Sequence, residues 1–319
     1  MIFKVQKGLS NNCNETFEPS FDENLQVIQN YPKGVTDRYF PKIGGNKSKP
    51  DMMVQFPVFV TAMDYTYYPF CQGMFFSLHA VLNSKRNRGK SRIIVYDLGL
   101  SERQLTVLRK KCRCEIRRFP FEMFPPHVRN LKTYAFKPLI IQMTLMEFGF
   151  VWWADTSVKI VRFNLDDAIN YAKKNSVLFF VERDYPIRYS IARQTDVRTF
   201  NYLEEGICKF RSFGEVWATT VLFHFDDITK AVVNAWASCA LNEACIAPVG
   251  KEKLSCDLLD INDGRCHRFD QSVLGIILRR LYHEQNEYPL DKKLNKIYSV
   301  GRREFVNYFE RCRSEYACY

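Results

Sequence analysis

A chain of 319 residues, 46% of them hydrophobic and 15% aromatic, can bury a substantial core, which excludes an intrinsically disordered protein. The formal net charge of +11 favours an anionic partner, such as a nucleotide phosphate, an acidic glycan or a membrane surface. Lysine and arginine occur in short clusters and not in a dense run, so we expect no nucleic-acid partner.

Residues 1–50 are polar, with asparagine, proline and glycine prominent, and indicate a stem or an arm wrapped on the surface. Beyond them, short apolar runs alternate with stretches of helical periodicity. The predicted strands are residues 56–64, 91–100, 114–119, 148–154, 177–182 and 215–225. Helices are predicted at residues 72–82, 133–148, 165–174, 268–278 and 304–313. Two more are predicted together with their N-caps: one that follows Ser101, and one over residues 228–241 that is capped by Asp226 or Asp227. This alternation predicts right-handed βαβ units and a largely parallel sheet.

The 11 cysteines are spread along the chain without the paired spacing of zinc ligands, which favours structural disulfides. Those expected above all to be paired are Cys239, Cys245, Cys256 and Cys266. Two N-x-S/T sequons, at Asn14 and Asn46, lie where a glycan is tolerated. These features favour the secretory pathway, with the cytoplasm as the alternative. Because no segment suits a transmembrane helix or a signal peptide, we expect membrane contact only through an anchor outside this chain.

Three of the predicted strands end in an acid, namely Asp64, Asp97 and Asp155. Ligands of open α/β sheets bind outside the carboxyl ends of the strands, so each acid is a candidate ligand of a metal or a substrate. The alternative for each is a side chain that caps the following turn through its own backbone. We expect the structural role for Asp97, which is followed by Gly99, and a functional role for the other two acids.

Five blocks of the chain, in the same order, resemble the glycosyltransferases of the GT-A fold that use nucleotide sugars. The closest resemblance is to the retaining enzymes of the family 8 type, and the chain also looks like a large group of nematode proteins with the same core. The blocks are residues 60–67 (VTAMDYTY), 92–102 (RIIVYDLGLSE), 133–139 (TYAFKPL), 152–158 (WWADTSV) and 269–274 (FDQSVL).

The resemblance implies an α/β, Rossmann-like GT-A fold with a mixed, mainly parallel sheet flanked by helices. It places a catalytic domain at residues 51–290, between the arm of residues 1–50 and a basic tail of residues 291–319 with a short helix. The implied activity is transfer of a sugar from a UDP-linked or other nucleotide sugar to a glycan or glycoprotein acceptor in the Golgi lumen.

The resemblance also implies roles for individual residues. The implied catalytic residues are Asp270 and Gln271, which would face the donor sugar. The implied nucleotide-binding residues are Ala62, Asp64, Tyr67 and, near the phosphates, Lys137. The implied ligands of a divalent cation, Mn²⁺ or Mg²⁺, are Asp155, Ser157 and His283.

The sequence departs from the family in its metal motif, because a serine, Ser157, stands where the second acid is expected, and a hydroxyl is a poorer cation ligand than a carboxylate. The late histidine motif is absent, which leaves His283 or His267 as its replacement. Asp270 has the alternative role of an N-cap of its helix. The alternative function is therefore a catalytically inactive GT-A-fold relative that binds a nucleotide or glycan. A nucleotidyltransferase would need a glycine- and lysine-rich phosphate loop, which residues 64–69 do not supply.

Overall fold

Eight strands and twelve α-helices make up the part of the chain that the computed structural model describes, residues 13–34, 36–181, 188–248, 256–257, 260, 262–284, 294–301 and 307–311. The strands are β1 (Val58–Met63), β2 (Ile93–Asp97), β3 (Glu115–Arg118), β4 (Phe150–Ala154), β5 (Val158–Ile160), β6 (Val177–Leu178), β7 (Thr220–His224) and β8 (Tyr298–Val300). The helices are α1 (Phe21–Gln29), α2 (Thr36–Tyr39), α3 (Tyr68–Leu82), α4 (Glu102–Lys111), α5 (Phe136–Phe148), α6 (Asp166–Asn175), α7 (Ile191–Gln194), α8 (Val197–Tyr202), α9 (Asp227–Ala240), α10 (Glu243–Ile246), α11 (Asp270–Leu281) and α12 (Tyr308–Arg311). Short 3₁₀ helices are Phe40–Ile43, Phe121–Met123, Pro126–Arg129, Leu131–Thr133, Ile207–Phe210 and Leu294–Lys296.

Six of these described strands form one sheet in the order β3-β2-β1-β4-β7-β6. Strand β1 pairs in parallel with β2 and β4, and β2 pairs in parallel with β3. Strand β7 runs antiparallel to both β4 and β6, and β5 and β8 form a separate antiparallel pair. Helical crossovers permit the parallel pairings. The predicted α/β fold class, with a mixed, mainly parallel sheet flanked by helices, is confirmed.

The core lies on both faces of this sheet, because successive side chains of a strand point to opposite faces. On one face, the rings of Phe59 and Trp152 stack with centroids 5.0 Å apart, in a cluster that includes residues of α3. On the other face, Val60 and Trp153 join the cluster that contains α5, α9 and α11. Both tryptophans are buried, so the continuous apolar run of β4 reflects a central strand covered on two sides.

The ends of several helices follow the local chemistry of the sequence. Ser101 forms a capping box with Gln104 at the start of α4, and Asp226 caps α9 by accepting from the backbone N–H of Thr229 at 2.7 Å. Helix α3 begins four residues before the predicted start, with Pro69 in its first turn. Helix α5 likewise includes Pro138 in its first turn, where a missing backbone donor costs little.

The polar N-terminal segment is tied to the core by a buried carboxylate, Glu205. This carboxylate accepts from the Tyr31 hydroxyl at 2.5 Å and from Lys209 Nζ at 2.8 Å, and it forms a bidentate pair with Arg280 of α11. Arg280 also donates to Asn24 Oδ1 of α1 at 3.0 Å. Burial alone would raise the pKa of Glu205, but the pairing with Arg280 outweighs it and lowers that pKa. The division of the chain into arm, domain and tail stays a prediction.

Four disulfides are present in the described part of the chain, namely Cys13–Cys208, Cys112–Cys114, Cys239–Cys245 and Cys256–Cys266. They confirm the expected pairing of the four late cysteines. Cys71 is a buried free thiol, and the remaining two cysteines lie outside the described residues. Both sequon asparagines are exposed. Among the helices that the structure describes, none combines the length and apolar character required to span a bilayer.

His267 holds the loop before α11 against α10 through both of its ring nitrogens. The backbone N–H of Asp196 donates to Nδ1 at 3.3 Å, and Nε2 lies 3.0 Å from the carbonyl oxygen of Ile246. These partners require a neutral ring with its proton on Nε2. Burial lowers the pKa of His267 to about 4.

Stability should therefore fall as the pH drops through the range between the unfolded and folded pKa values of His267. The unfolded chain binds the extra proton below about 6.5, whereas the folded chain binds it only near 4. We expect the His267 contribution to the free energy of unfolding to decrease by about 2 kcal/mol between pH 7 and pH 5. Urea denaturation of the wild-type chain and His267→Gln at both pH values measures it. An equal decrease in both proteins would contradict the assignment.

Candidate functional site

A cleft of about 700 Å³ opens where β1 and β4 end and where α5 and α11 begin. Its size is typical of a small-molecule site. Eight of the nine predicted site residues line this cleft: Ala62, Asp64, Tyr67, Lys137, Asp155, Ser157, Asp270 and Gln271. Segments that are distant in sequence thus meet in one place, while the role of each residue stays a prediction.

The turn after β1 is shaped by Asp64, whose Oδ1 accepts from the backbone N–H groups of Thr66 and Tyr67, both at 3.0 Å. This turn presents the half-exposed ring of Tyr67 to the cleft, and its hydroxyl lies 3.4 Å from that of Tyr134. Asp64 therefore caps its turn and lines the cleft at the same time.

Asp97 behaves as a structural residue, as predicted. Its Oδ1 accepts from the backbone N–H groups of Gly99 at 2.8 Å and Leu100 at 2.7 Å. Gly99 has a φ of +130°, which favours a residue without a side chain. Asp97 is not among the described residues that line the cleft.

Lys137 is the centre of the cleft's polar groups. Its Nζ lies 3.0 Å from Asp155 Oδ1, 2.8 Å from Asp270 Oδ2 and 3.3 Å from the carbonyl oxygen of Ala218. The contact with Ala218 is a hydrogen bond, whereas the contact with Asp270 is an ion pair, because Asp270 Oδ2 has no hydrogen-bond partner within the described residues. The side chain is buried, and its Nζ lies over the rings of Tyr134 and Trp153 at 5.4 and 5.5 Å.

The charges of this cluster do not cancel, because two carboxylates face one ammonium. Burial opposes the charge of Lys137, but Asp155 and Asp270 outweigh it and raise the pKa of the ammonium. Burial also raises the pKa of Asp270, although Lys137 opposes this shift. Lys137 therefore stays charged at neutral pH, and its charge opposes the rise that burial causes in the pKa of Asp270.

Neither acid at Lys137 is explained by helix or turn capping. The side chain of Asp155 accepts from Trp153 Nε1 at 2.7 Å, whereas the turn after β4 is closed by its backbone carbonyl, which accepts from Val158 N–H. Asp270 is the first residue of α11 and not its N-cap, a position taken by Phe269 without a side-chain bond. Neither carboxylate therefore occupies a capping position, and both contact Lys137.

Several further residues of the cleft were not predicted as site residues, among them Tyr134, Trp153, Gln194 and Arg268. Tyr134 and Trp153 lie inside two of the quoted blocks, and this position was the available signal. Arg268 is the first residue of the predicted helix 268–278 and directly precedes the last quoted block, whereas Gln194 lies in a segment for which no element is predicted. Arg268 contributes a second cation, with Nη1 3.5 Å from Glu215 Oε2.

The expected set of metal ligands is not brought together. His283 lies two residues beyond the end of α11 and does not line the cleft. It stacks on Phe17 with ring centroids 4.7 Å apart, and its Nδ1 lies 3.0 Å from the Arg280 carbonyl oxygen. His267 is buried with both nitrogens engaged. Among the residues that the structure describes, no three His, Cys, Asp or Glu side chains are grouped to hold a metal ion. Of the expected ligands, only Asp155 and Ser157 line the cleft, and the Asp155 carboxylate is already paired with the Lys137 ammonium. The donor set therefore does not fit the expected divalent cation.

Comparison with protein families matches residues 45–142 to a family described as a protein of unknown function, DUF1647. No curated protein matches the chain. Solved structures do. The galactosyltransferase LgtC in complex with donor and acceptor sugar analogs is 14% identical, with 66% of this chain and 72% of that chain covered and a TM-score of 0.37.

Two further similar structures come from eukaryotes. Mouse xyloside xylosyltransferase 1 is 9% identical over 72% of this chain and 82% of that chain, with a TM-score of 0.42. Core-mannan synthase A of Aspergillus fumigatus, in its Mn/GDP form, is 11% identical over 73% and 70%, with a TM-score of 0.36. At these values the likeness concerns the fold alone and decides nothing about substrate or activity. The closer relation to family 8 or to nematode proteins stays a prediction.

Removal of the Lys137 ammonium should leave the carboxylates of Asp155 and Asp270 without their cation. We expect Lys137→Met to lower the free energy of unfolding by about 3–5 kcal/mol, the usual cost of breaking a buried ion pair. The double variant Lys137→Met/Asp270→Asn should recover at least about 1 kcal/mol, because one stranded charge is removed. Urea denaturation at pH 7 measures both.

The matched control is Lys132→Met, at an exposed lysine on the same approach to α5. Its effect should stay within about 0.5 kcal/mol. If Lys137→Met had the same free energy of unfolding as the wild-type chain, the ion pairs would contribute nothing to stability.

Proposed function

We propose that this chain transfers a sugar from a nucleotide sugar, of the UDP-linked kind, to a glycan or glycoprotein acceptor. The observation that carries the proposal is the meeting of three separate segments in one cleft: the strand end at Asp155, the turn from Asp64 to Tyr67, and the Asp270–Gln271 pair. A donor that consists of a base, a diphosphate and a sugar requires such a set of distinct contacts within one site.

The nucleotide part of the site is proposed at the end of β1. The ring of Tyr67 is 44% exposed and lines the cleft, which suits stacking on a base. The Asp64 carboxylate is fixed by its two backbone bonds, so it is oriented before a ligand arrives. It would accept a hydrogen bond from a ring N–H of the base, and Ala62 leaves room for this contact.

The sugar would lie towards the start of α11. During transfer, the bond from the sugar to the diphosphate breaks with its electron pair on the phosphate, and the acceptor oxygen bonds to the sugar carbon. Asp270 and Gln271 would stabilise positive charge on the sugar, and Arg268 would face the anionic diphosphate. In a retaining reaction the leaving phosphate would take the acceptor's proton.

A second candidate function is a catalytically inactive relative that binds a nucleotide or glycan. It is favoured by one observation, that the carboxylates of Asp155 and Asp270 are already engaged by Lys137. In either case we place the chain in the secretory pathway, with the Golgi lumen as its compartment. The disulfides of the described residues support this, because such bonds persist in oxidising compartments.

Binding of UDP tests the nucleotide site directly. We expect the wild-type chain to bind UDP in isothermal titration calorimetry, and Tyr67→Ala to weaken binding about tenfold or more, since base stacking contributes roughly 1–3 kcal/mol. The matched control is Tyr65→Ala, two positions earlier, whose ring is 65% exposed and does not line the cleft. Equal losses in both variants would contradict the assigned site.

Turnover distinguishes the enzyme from the inactive relative. We expect the wild-type chain to release UDP from at least one member of a panel of UDP-sugars. The rate of release in Asp270→Asn should be at least about 10²-fold lower. Intact UDP binding without release from any donor would instead support the inactive relative.

A further inference from the structure

We propose that the Lys137 ammonium occupies the cation position of this cleft, so that the chain binds its nucleotide donor without a divalent metal. The part of this inference that concerns the donor rests on the proposed function. The part that concerns the lysine rests on the geometry of the cleft alone.

The surroundings of Lys137 Nζ resemble those of a hard cation. Oxygen atoms of Asp155, Asp270 and Ala218 converge on it from the end of β4, the start of α11 and the segment before β7. Carboxylate and carbonyl oxygens are the ligands that Mg²⁺ and Ca²⁺ use, at distances about 0.5–1 Å shorter than a hydrogen bond. The protein therefore supplies the kind of oxygen site that a metal takes, with an ammonium already inside it.

The ammonium is not easily displaced. Lys137 is 3% exposed, and aromatic rings from Tyr134 and Trp153 cover it. A divalent cation bound at Asp155 would lie beside this positive charge and be repelled. A carboxylate two residues after Asp155 would offset this repulsion, but that position is occupied by Ser157, whose hydroxyl carries no charge.

Variants of Lys137 should differ in their affinity for a divalent metal. Loss of the lysine side chain leaves two carboxylates and a carbonyl oxygen directed at one vacated point, with no cation between them. A divalent ion would satisfy all of these groups at once. Lys137→Ala should therefore gain a metal site, whereas Lys137→Arg should not, because it retains the fixed charge.

Electron paramagnetic resonance of free Mn²⁺, titrated into the full chain without nucleotide, measures this gain. We expect Lys137→Ala to bind Mn²⁺ at least about tenfold more tightly than the wild-type chain and Lys137→Arg. Lys209→Ala is the matched control, since it removes a buried lysine paired with Glu205 outside the cleft and should gain nothing. Circular dichroism verifies that each variant is folded.

The wild-type chain decides the inference even if Lys137→Ala does not fold. Its affinity for UDP should be the same, within about twofold, in EDTA and in Mn²⁺. Tight Mn²⁺ binding by the wild-type chain that Asp155→Ala abolishes, or UDP binding that requires Mn²⁺, would overturn it. Absence of UDP binding in both buffers would refute the proposed function instead, and the Mn²⁺ titrations would still decide the role of the lysine.

Discussion

The ion pairs of one buried lysine connect the elements that form the cleft. Lys137 lies in the first turn of α5, and its ammonium contacts the end of β4, the start of α11 and the segment that precedes β7. Each contact compensates for the removal of charge from water, so none of the groups can leave its position alone without a large cost. The cleft is thus a consequence of charge compensation among elements that are distant in sequence.

Helix α11 is fixed at both ends by such compensation. Its first residue, Asp270, faces Lys137, and near its other end Arg280 pairs with Glu205, which also binds Tyr31 of the N-terminal segment. Between these ends, its residues are buried against α9 and α1. A helix held in this way presents the Asp270–Gln271 pair to the cleft with little freedom, as a binding or catalytic site requires.

Local signals in the sequence were sufficient for much of the fold. Apolar runs ending in an acid identified β1, β2 and β4, and the cap at Ser101 marked the start of α4. Local signals could not predict that Lys137 pairs with two acids, because this pairing depends on where separate elements meet in space. For the same reason, the sequence associated His283 with the metal site, whereas the structure places it against Phe17. Block order predicted which residues share the cleft, whereas the ion pairs of Lys137 with Asp155 and Asp270 are visible only in the structure.

The bond between Cys13 and Cys208 joins residues 195 positions apart and encloses β1 to β6 in a single covalent ring. Strand β7 and helices α9 and α11 lie outside this ring, attached to it through one continuous backbone. A proteolytic cut anywhere between the two cysteines would therefore open the ring without detaching a fragment. Material that has been cleaved there would migrate as an intact chain on a non-reducing gel and fall apart only when a thiol is added.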